Sequence, residues 1–227
     1  MTIQLSENYP KLIRDLFLYD VGEEHYPNKE LTCEQIFNQV SYMPIDLGRL
    51  DDYKPMLDEA IELPYKQSST DADRCYIYGP VGPDDPRCEL LTSNYTEFEY
   101  KIKMDTCPAI KDFIEQMCKI GQVTYISFKR MLPKRFINPH IDSKCNPFKI
   151  YIPLTWPKGN YFKMYKKGLI PFEPYKPFLV NTGNNIHSVI NDSNEERYIF
   201  SFYADWGVDK WQRIIENSYG KINELLG

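Results

Sequence analysis

The stretch NPHIDSKCN, residues 138–146, decides how the rest of the chain is read. It carries one of only three histidines, His25, His140 and His187, with an aspartate two positions on. On a β-strand, residues two apart share a face, so His140 and Asp142 would point the same way with Cα atoms roughly 7 Å apart. An imidazole and a carboxylate so placed can converge on one ion, with Ile141 facing the other side. A third ligand has to come from elsewhere in the fold. His187 is the remaining histidine of the β-rich half, and it follows a Gly183-Asn184-Asn185 turn and opens a strand. Two neutral imidazoles and one carboxylate form a facial set that leaves coordination positions open and favours non-haem Fe(II). Zinc accepts the same ligands, so ligand type leaves both metals open. A His-x-Asp string by itself is common, and a lone strand histidine is more often a hydrogen-bonded structural residue.

The frame around that stretch reads as β-rich. EFEYKIKM, 97–104, alternates as a strand does. CPAIKDFIEQMCKI, 107–120, sets Ile110, Phe113, Ile114 and Met117 at helical spacing, with Gly121 as its stop. QVTYISFKRML, 122–132, is a strand of β-branched and aromatic residues. Short strands follow at 137–142, 148–154, 161–165, 178–181, 187–191 and 197–204, separated by Asn/Pro/Gly/Asp turns. Many short strands at even spacing predict a mainly β fold with flanking helices, a barrel or double-sheet jelly roll of cupin-like kind. A last amphipathic helix, 209–225, would pack outside it. Residues 1–95 are rich in Tyr, Pro and Asp and show weak periodicity, with short helices at 9–17, 32–39 and 53–62 and a Gly/Pro loop at 79–88. The expected organisation is one domain over 1–227. In it, 1–95 is an N-terminal helical and looped extension, and 96–227 is the β core with its C-terminal helix.

Composition narrows the class. Of 227 residues, 42% are hydrophobic and 26% charged, as in an ordinary globular domain. Eighteen tyrosines and twelve phenylalanines favour strands and stacked aromatic cores. A net charge of −5 argues against nucleic acid as partner, since phosphate recognition needs concentrated positive charge. MTIQLSENYPKL has no basic start followed by an apolar run, and no segment reaches membrane-spanning length. The six cysteines are scattered without a CxxC and read as thiols of a reducing compartment. A cytoplasmic location without membrane contact is therefore expected.

Cations complete the pattern. Arg197 lies ten positions after His187, and across a hairpin over 187–206 it would reach back beside the metal. Lys149 lies nine positions after His140 on the next strand. A dianionic co-substrate needs cations whose charge is independent of pH, and arginine meets that need bidentately. The bland reading of Arg197 is a surface arginine paired with Glu195 or Glu196.

The ordered set His140-Ile-Asp142, Lys149-Ile-Tyr-Ile-Pro153-Leu154, His187-Ser-Val-Ile-Asn191, Arg197 and Asp205-Trp206 resembles the 2-oxoglutarate/Fe(II)-dependent oxygenases. Within them it is most similar to the aspartyl/asparaginyl β-hydroxylase-like branch, over roughly residues 120–206. The resemblance implies a double-stranded β-helix with the metal at one mouth. It implies that His140, Asp142 and His187 are the iron ligands and that Arg197 binds the distal carboxylate of 2-oxoglutarate. Lys149 stands where that branch carries an arginine in contact with the co-substrate. Lysine keeps the charge but not the fork. The implied reaction uses 2-oxoglutarate and molecular oxygen to hydroxylate a C–H bond of an amino-acid side chain, in a peptide or protein or in a free amino acid. Asn138, Thr182 and Asn191 are candidates for hydrogen bonds that orient the ligands. Tyr125, Arg130, Tyr151 and Trp206 are candidates for the mouth, and residues 1–95 for a lid or wrap. Three other classes compete. A non-catalytic cupin-like binding protein would use its histidines in hydrogen bonds. A zinc hydrolase would need a general base by the metal, and no HExxH is present. A nucleic-acid demethylase of the same superfamily is disfavoured by the acidic balance.

Overall fold

The structure is a computed structural model and describes residues 3, 5, 7–18, 40–47, 53–63, 65–67, 73–76, 107–142 and 148–226. The expected helix at 32–39, the loop at 79–88, the strand at 97–104, His25 and the turn at Asn146-Pro147 lie outside the described residues, as does the side chain of Tyr125. In chain order the elements are α1 (Lys11–Leu18), β1 (Tyr42–Pro44), α2 (Lys54–Glu62), β2 (Lys66–Gln67), β3 (Asp73–Tyr76), α3 (Pro108–Ile120), β4 (Gln122–Met131), β5 (Arg135–His140), β6 (Phe148–Pro153), β7 (Asn160–Met164), β8 (Gly168–Leu169), β9 (Phe178–Asn181), β10 (His187–Asn191), β11 (Arg197–Asp205) and α4 (Val208–Leu226).

Two antiparallel sheets face each other in a jelly roll. The major sheet has the order β1-β9-β6-β11-β4-β3-β2 and the minor sheet β5-β10-β7-β8. Alternation along each strand divides the apolar residues between layers. On β11, Ile199 faces the minor sheet, while Tyr198, Phe200 and Phe202 face the helices. Met131, Tyr151, Phe178, Val180 and Ile199 of the major sheet meet Ile137, Phe162, Met164 and Val189 of the minor sheet. The back of the major sheet packs on α2, α3 and α4 through Met56, Ile110, Phe113, Met117, Trp211 and Ile215. The outer face of the minor sheet is closed by Tyr9, Ile13 and Phe17 against Ile190, Phe136 and Tyr161.

Residues 1–95 also contribute to the sheet. β1 pairs with β9 at one edge, and β2–β3 extend the other edge from β4. These strands are two to four residues long, too short to show a period in sequence. Helix α2 holds α3 directly: the carboxylate of Glu59 accepts the N–H groups of Ala109 at 2.8 Å and Ile110 at 2.9 Å. Those donors at the α3 N-terminus have no partner within the helix, and a negative charge suits the positive end of its dipole.

Two positions constrain the fold strongly. Gly121 ends α3, but its φ of 171° is extended backbone and not a left-handed cap. The glycine is required instead by space, because a Cβ there would stand 2.5 Å from Trp206 Cδ1. Asn191, fully buried at the end of β10, is a hydrogen-bond hub. Its Nδ2 donates to the carbonyls of Met131, Leu132 and Glu195, and its Oδ1 accepts from the Ser193 N–H and hydroxyl and from Asn160 Nδ2. Gly121→Ala should destabilise the protein by about 1–3 kcal/mol through overpacking against the Trp206–Trp211 pair, seen as a lower Tm in calorimetry. Asn191→Ala should cost at least about 2 kcal/mol, because several buried polar partners lose their bonds together. A urea midpoint equal to that of the wild type would show the hub to be idle.

Candidate active site

The site lies at one end of the space between the sheets. β5 ends at His140 and β10 begins at His187, and the two residues are directly opposite in the antiparallel register. Their ring centroids are 4.2 Å apart. Asp142 lies two residues beyond the end of β5, not on the strand as its spacing suggested. Its N–H instead donates to the Thr182 carbonyl at 3.0 Å, which brings the carboxylate back. Asp142 Oδ1 is 3.5 Å from His140 Nε2 and 3.9 Å from His187 Nε2. One donor atom from each of the three residues lies within 4.8 Å of the others.

Both imidazoles are oriented alike. Nδ1 of His140 is 2.7 Å from the Asn138 carbonyl, and Nδ1 of His187 is 3.1 Å from the Asn185 carbonyl. A carbonyl can only accept, so each Nδ1 carries the proton and each Nε2 keeps its lone pair toward the cluster. The Phe162 ring stacks on His187 at 5.3 Å and fixes its plane. Burial, with His140 beside it, pushes the His187 pKa down to about 4, which keeps it neutral and ligand-ready. Burial pushes the Asp142 carboxyl up, but the neighbouring imidazole of His140 and the charges of Lys149 and Lys129 outweigh it. They hold the group well below the usual carboxylate range.

The major sheet supplies the cations. Lys149 on β6 is buried, with Nζ 3.9 Å from Asp142 Oδ2 and 4.7 Å from the Tyr203 ring centroid. Lys129 on β4, two residues before the inward-facing Met131, approaches the Tyr151 ring at 5.0 Å and adds its charge to Asp142 and His187. Arg197 opens β11 in the opposite sheet from His187, so the expected hairpin between them is a crossing from one sheet to the other. It is only 2% exposed, and its Nε and Nη1 atoms have no hydrogen-bond partner among the described residues. The guanidinium lies 5.2 Å from the Trp156 ring. Glu196, the expected surface partner, instead accepts from the Tyr198 hydroxyl. Burial pulls the Arg197 pKa down to about 9, still cationic at neutral pH.

The other expected residues divide. Tyr151 sits inside, under Lys149 and Lys129. Arg130 faces away, over the Tyr65 ring. Trp206 belongs to the helix-side core beside Phe202 and Trp211. Asn138 and Thr182 act through their carbonyls rather than their side chains, and Asn191 serves the far end of β10. Lys129 was missed in the sequence. Strand parity with Met131 and Ser127 was the available signal, since Ser127 hydrogen-bonds Ser201 across the same inner face.

Among the described residues no helix is long and apolar enough to cross a membrane. Comparison with known proteins found no match among curated sequences. Several solved structures are similar to the chain. A 2OG-Fe(II) oxygenase family oxidoreductase from Burkholderia pseudomallei is 16% identical with a TM-score of 0.47, covering 80% of this chain and 94% of that one. The viral collagen prolyl hydroxylase of Paramecium Bursaria Chlorella virus-1 is 14% identical with a TM-score of 0.45, covering 74% and 97%. A cupin domain from Bordetella pertussis is 18% identical with a TM-score of 0.29, covering 36% and 79%. The family model for aspartyl/asparaginyl β-hydroxylases matches residues 86–204, which hold the two histidines, the aspartate, the lysine and the arginine of the site. The chain belongs to the aspartyl/asparaginyl β-hydroxylase family of the Fe(II)/2-oxoglutarate oxygenases.

Proposed function

We propose that the chain is a single-domain dioxygenase, spanning 1–227, that hydroxylates an amino-acid side chain in a peptide, a protein or a free amino acid. Its metal would be Fe(II), held by His140, Asp142 and His187, and its co-substrate 2-oxoglutarate, held by Arg197 and Lys149. The observation that carries this reading is the buried Arg197 guanidinium with two nitrogens unpartnered among the described residues, in the same interior as a cluster of three potential ligand atoms. An unpaired charge in that environment is costly, and a carboxylate is the partner whose geometry matches its fork. The donor set likewise suits iron, with two neutral nitrogens and one carboxylate.

When bound, the iron with 2-oxoglutarate and oxygen supplies the oxidising power that places a hydroxyl on carbon, while the co-substrate leaves as succinate and carbon dioxide. The chain's own residues bind and orient. The Asn138 and Asn185 carbonyls hold the imidazole tautomers that leave Nε2 free. Lys149 and Lys129 balance the negative charge that enters with the co-substrate. Tyr151, Phe162 and Phe172 keep the interior apolar around those charges, which strengthens each electrostatic contact. A cupin-like binding protein is the alternative. It would spend the Nε2 atoms on hydrogen bonds and leave the Arg197 charge without purpose, so the oxygenase is favoured.

Anaerobic addition of 2-oxoglutarate to the Fe(II)-loaded protein should produce the visible charge-transfer band of the chelate. His187→Ala should abolish it. Arg197→Ala should require about tenfold to hundredfold more 2-oxoglutarate, the worth of lost charge-assisted hydrogen bonds. No band in a correctly folded wild-type protein would remove this reading.

A further inference from the structure

We infer that Trp156 is a positioning residue for the distal carboxylate of the co-substrate: its ring, laid on the Arg197 guanidinium, fixes the plane of that fork and screens it from solvent, leaving the N–H edge to receive the anion. The inference rests on the reading above for the identity of the co-substrate. It extends that reading to a residue outside both the metal cluster and the motif set.

A guanidinium is a flat fork with its N–H donors in one plane. It binds a carboxylate edge-on, and the contact is strongest when that plane is fixed beforehand. Hydrogen bonds do not fix Nε and Nη1 of Arg197, which have no partner among the described residues. The contact on the face of the fork does. The guanidinium carbon stands 5.2 Å from the centroid of the Trp156 ring. A cation seated on a π face is held without its N–H edge being used. The guanidinium is buried while the indole is half-buried, so the ring is a layer between the charge and solvent.

The ring is itself held. Trp156 lies in the connection from β6 to β7, and Phe172 meets it edge to face at 5.0 Å and 74°. Phe172 is fixed in turn by Phe162 at 5.6 Å and Phe178 at 5.1 Å, both edge-on. The backbone beside Trp156 is bonded to the residues on either side of Arg197. Leu154 and Thr155 donate their N–H groups to the Tyr198 carbonyl at 2.9 and 3.1 Å. The Thr155 hydroxyl accepts the Tyr198 N–H at 2.8 Å and donates to the Glu196 carbonyl at 3.4 Å. After Trp156, the Pro157 carbonyl accepts the N–H of Asn160 at 3.1 Å and its Nδ2 at 3.0 Å. Ring and fork therefore sit on one bonded frame and keep their relative placement. The His140–Asp142–His187 cluster has other supports, the Asn138, Asn185 and Thr182 carbonyls. Loss of the ring should weaken the hold on a distal carboxylate and spare the keto-acid end, because turning the fork and admitting water both act at Arg197.

The test uses the full-length protein and two readouts. With Fe(II) bound, the charge-transfer band is titrated anaerobically with 2-oxoglutarate and with 2-oxobutyrate, which keeps the keto-acid end and lacks the distal carboxylate. Without metal, tryptophan emission is followed as glutarate or butyrate is added, against the background of Trp206 and Trp211 in the helix-side core. Trp156→Leu keeps apolar bulk without a π face. It should raise the 2-oxoglutarate midpoint about tenfold and leave that of 2-oxobutyrate in place, whereas Trp156→Phe should stay within about threefold of wild type. Trp156→Met replaces Trp156→Leu if that variant melts early. Wild-type emission should respond saturably to glutarate and not to butyrate, and Trp156→Phe should remove the response. An unchanged ratio of the two midpoints in Trp156→Leu would overturn the inference, since a ring that merely packs lowers the Tm and leaves that ratio alone. Wild-type emission that ignores glutarate, or a response that survives Trp156→Phe, would overturn it too. The two readings fail separately. A normal band with an unchanged ratio removes only the role of Trp156. A glutarate response without any band removes the oxygenase reading and leaves a carboxylate site at Arg197 beside Trp156.

Discussion

The pairing of β10 with β5 is the constraint on which the site depends, because it sets His187 opposite His140. Strand side chains alternate with a period of two, so a slip of one residue would turn an imidazole to the outer face. Several contacts hold this register. The Ser188 hydroxyl donates to the Ile137 carbonyl at 2.6 Å, and the irregularity between His187 and Val189 sits at the same place. Val189 packs between the sheets while Ile190 packs outward under Ile13 and Phe17. A slipped strand would exchange these two partners and open both cores. Helix α1, far from the His140–Asp142–His187 cluster in sequence, therefore supports the geometry of that cluster through packing alone.

The interior of the jelly roll gathers cations beside aromatic rings. Lys149 and Lys129 add their charge beside Asp142, and the Arg197 guanidinium is buried against the Trp156 ring. Aromatic faces supply part of the balance: Tyr151 lies under both lysines, Tyr203 under Lys149 and Trp156 under Arg197. Cation–π attraction is weaker than an ion pair when desolvated, so these rings hold the cations in place without competing with an arriving anion. A dianion held there, as proposed above, would draw affinity from these cations, and a ligand that binds only the folded state raises its stability in proportion to that affinity.

Much of this was legible in the sequence, for identifiable reasons. α3 and β4 announce themselves by clean periodicity, and β9 and β10 occupy the expected residues because turn chemistry bounds them on both sides. The cluster of His140, Asp142 and His187 could be anticipated because the chain has so few histidines. Three things could not be read. Asp142 lies beyond its strand and is returned by a backbone bond to Thr182, which no side-chain pattern encodes. The inner face of β4 was assigned to Arg130 rather than Lys129, a parity that only the pairing of β4 with β11 decides. β1, β2, β3 and β8 are too short for any period, and they form because neighbouring strands offer them an edge.

The ten-residue interval from His187 to Arg197 acquires a physical meaning in this fold. The two residues belong to different sheets, so the interval measures one strand of the minor sheet plus the corner that carries the chain into the major sheet. That corner is built tightly. Asn191 and Ser193 bond its backbone, and the Asp192 N–H donates to the Gly159 carbonyl at 2.9 Å. Gly159 has a φ of 96° and a Cβ there would stand 3.3 Å from the Asp192 carbonyl carbon, so the facing loop cannot retreat or fill. Tyr9 and Lys134 hold Asp192 from outside. Lengthening the corner by one residue would leave both sheets intact and still shift Arg197 along β11 by one position, onto the helix side. The motif spacing is therefore a consequence of sheet geometry: it is the length at which a histidine of one layer and an arginine of the other face the same interior.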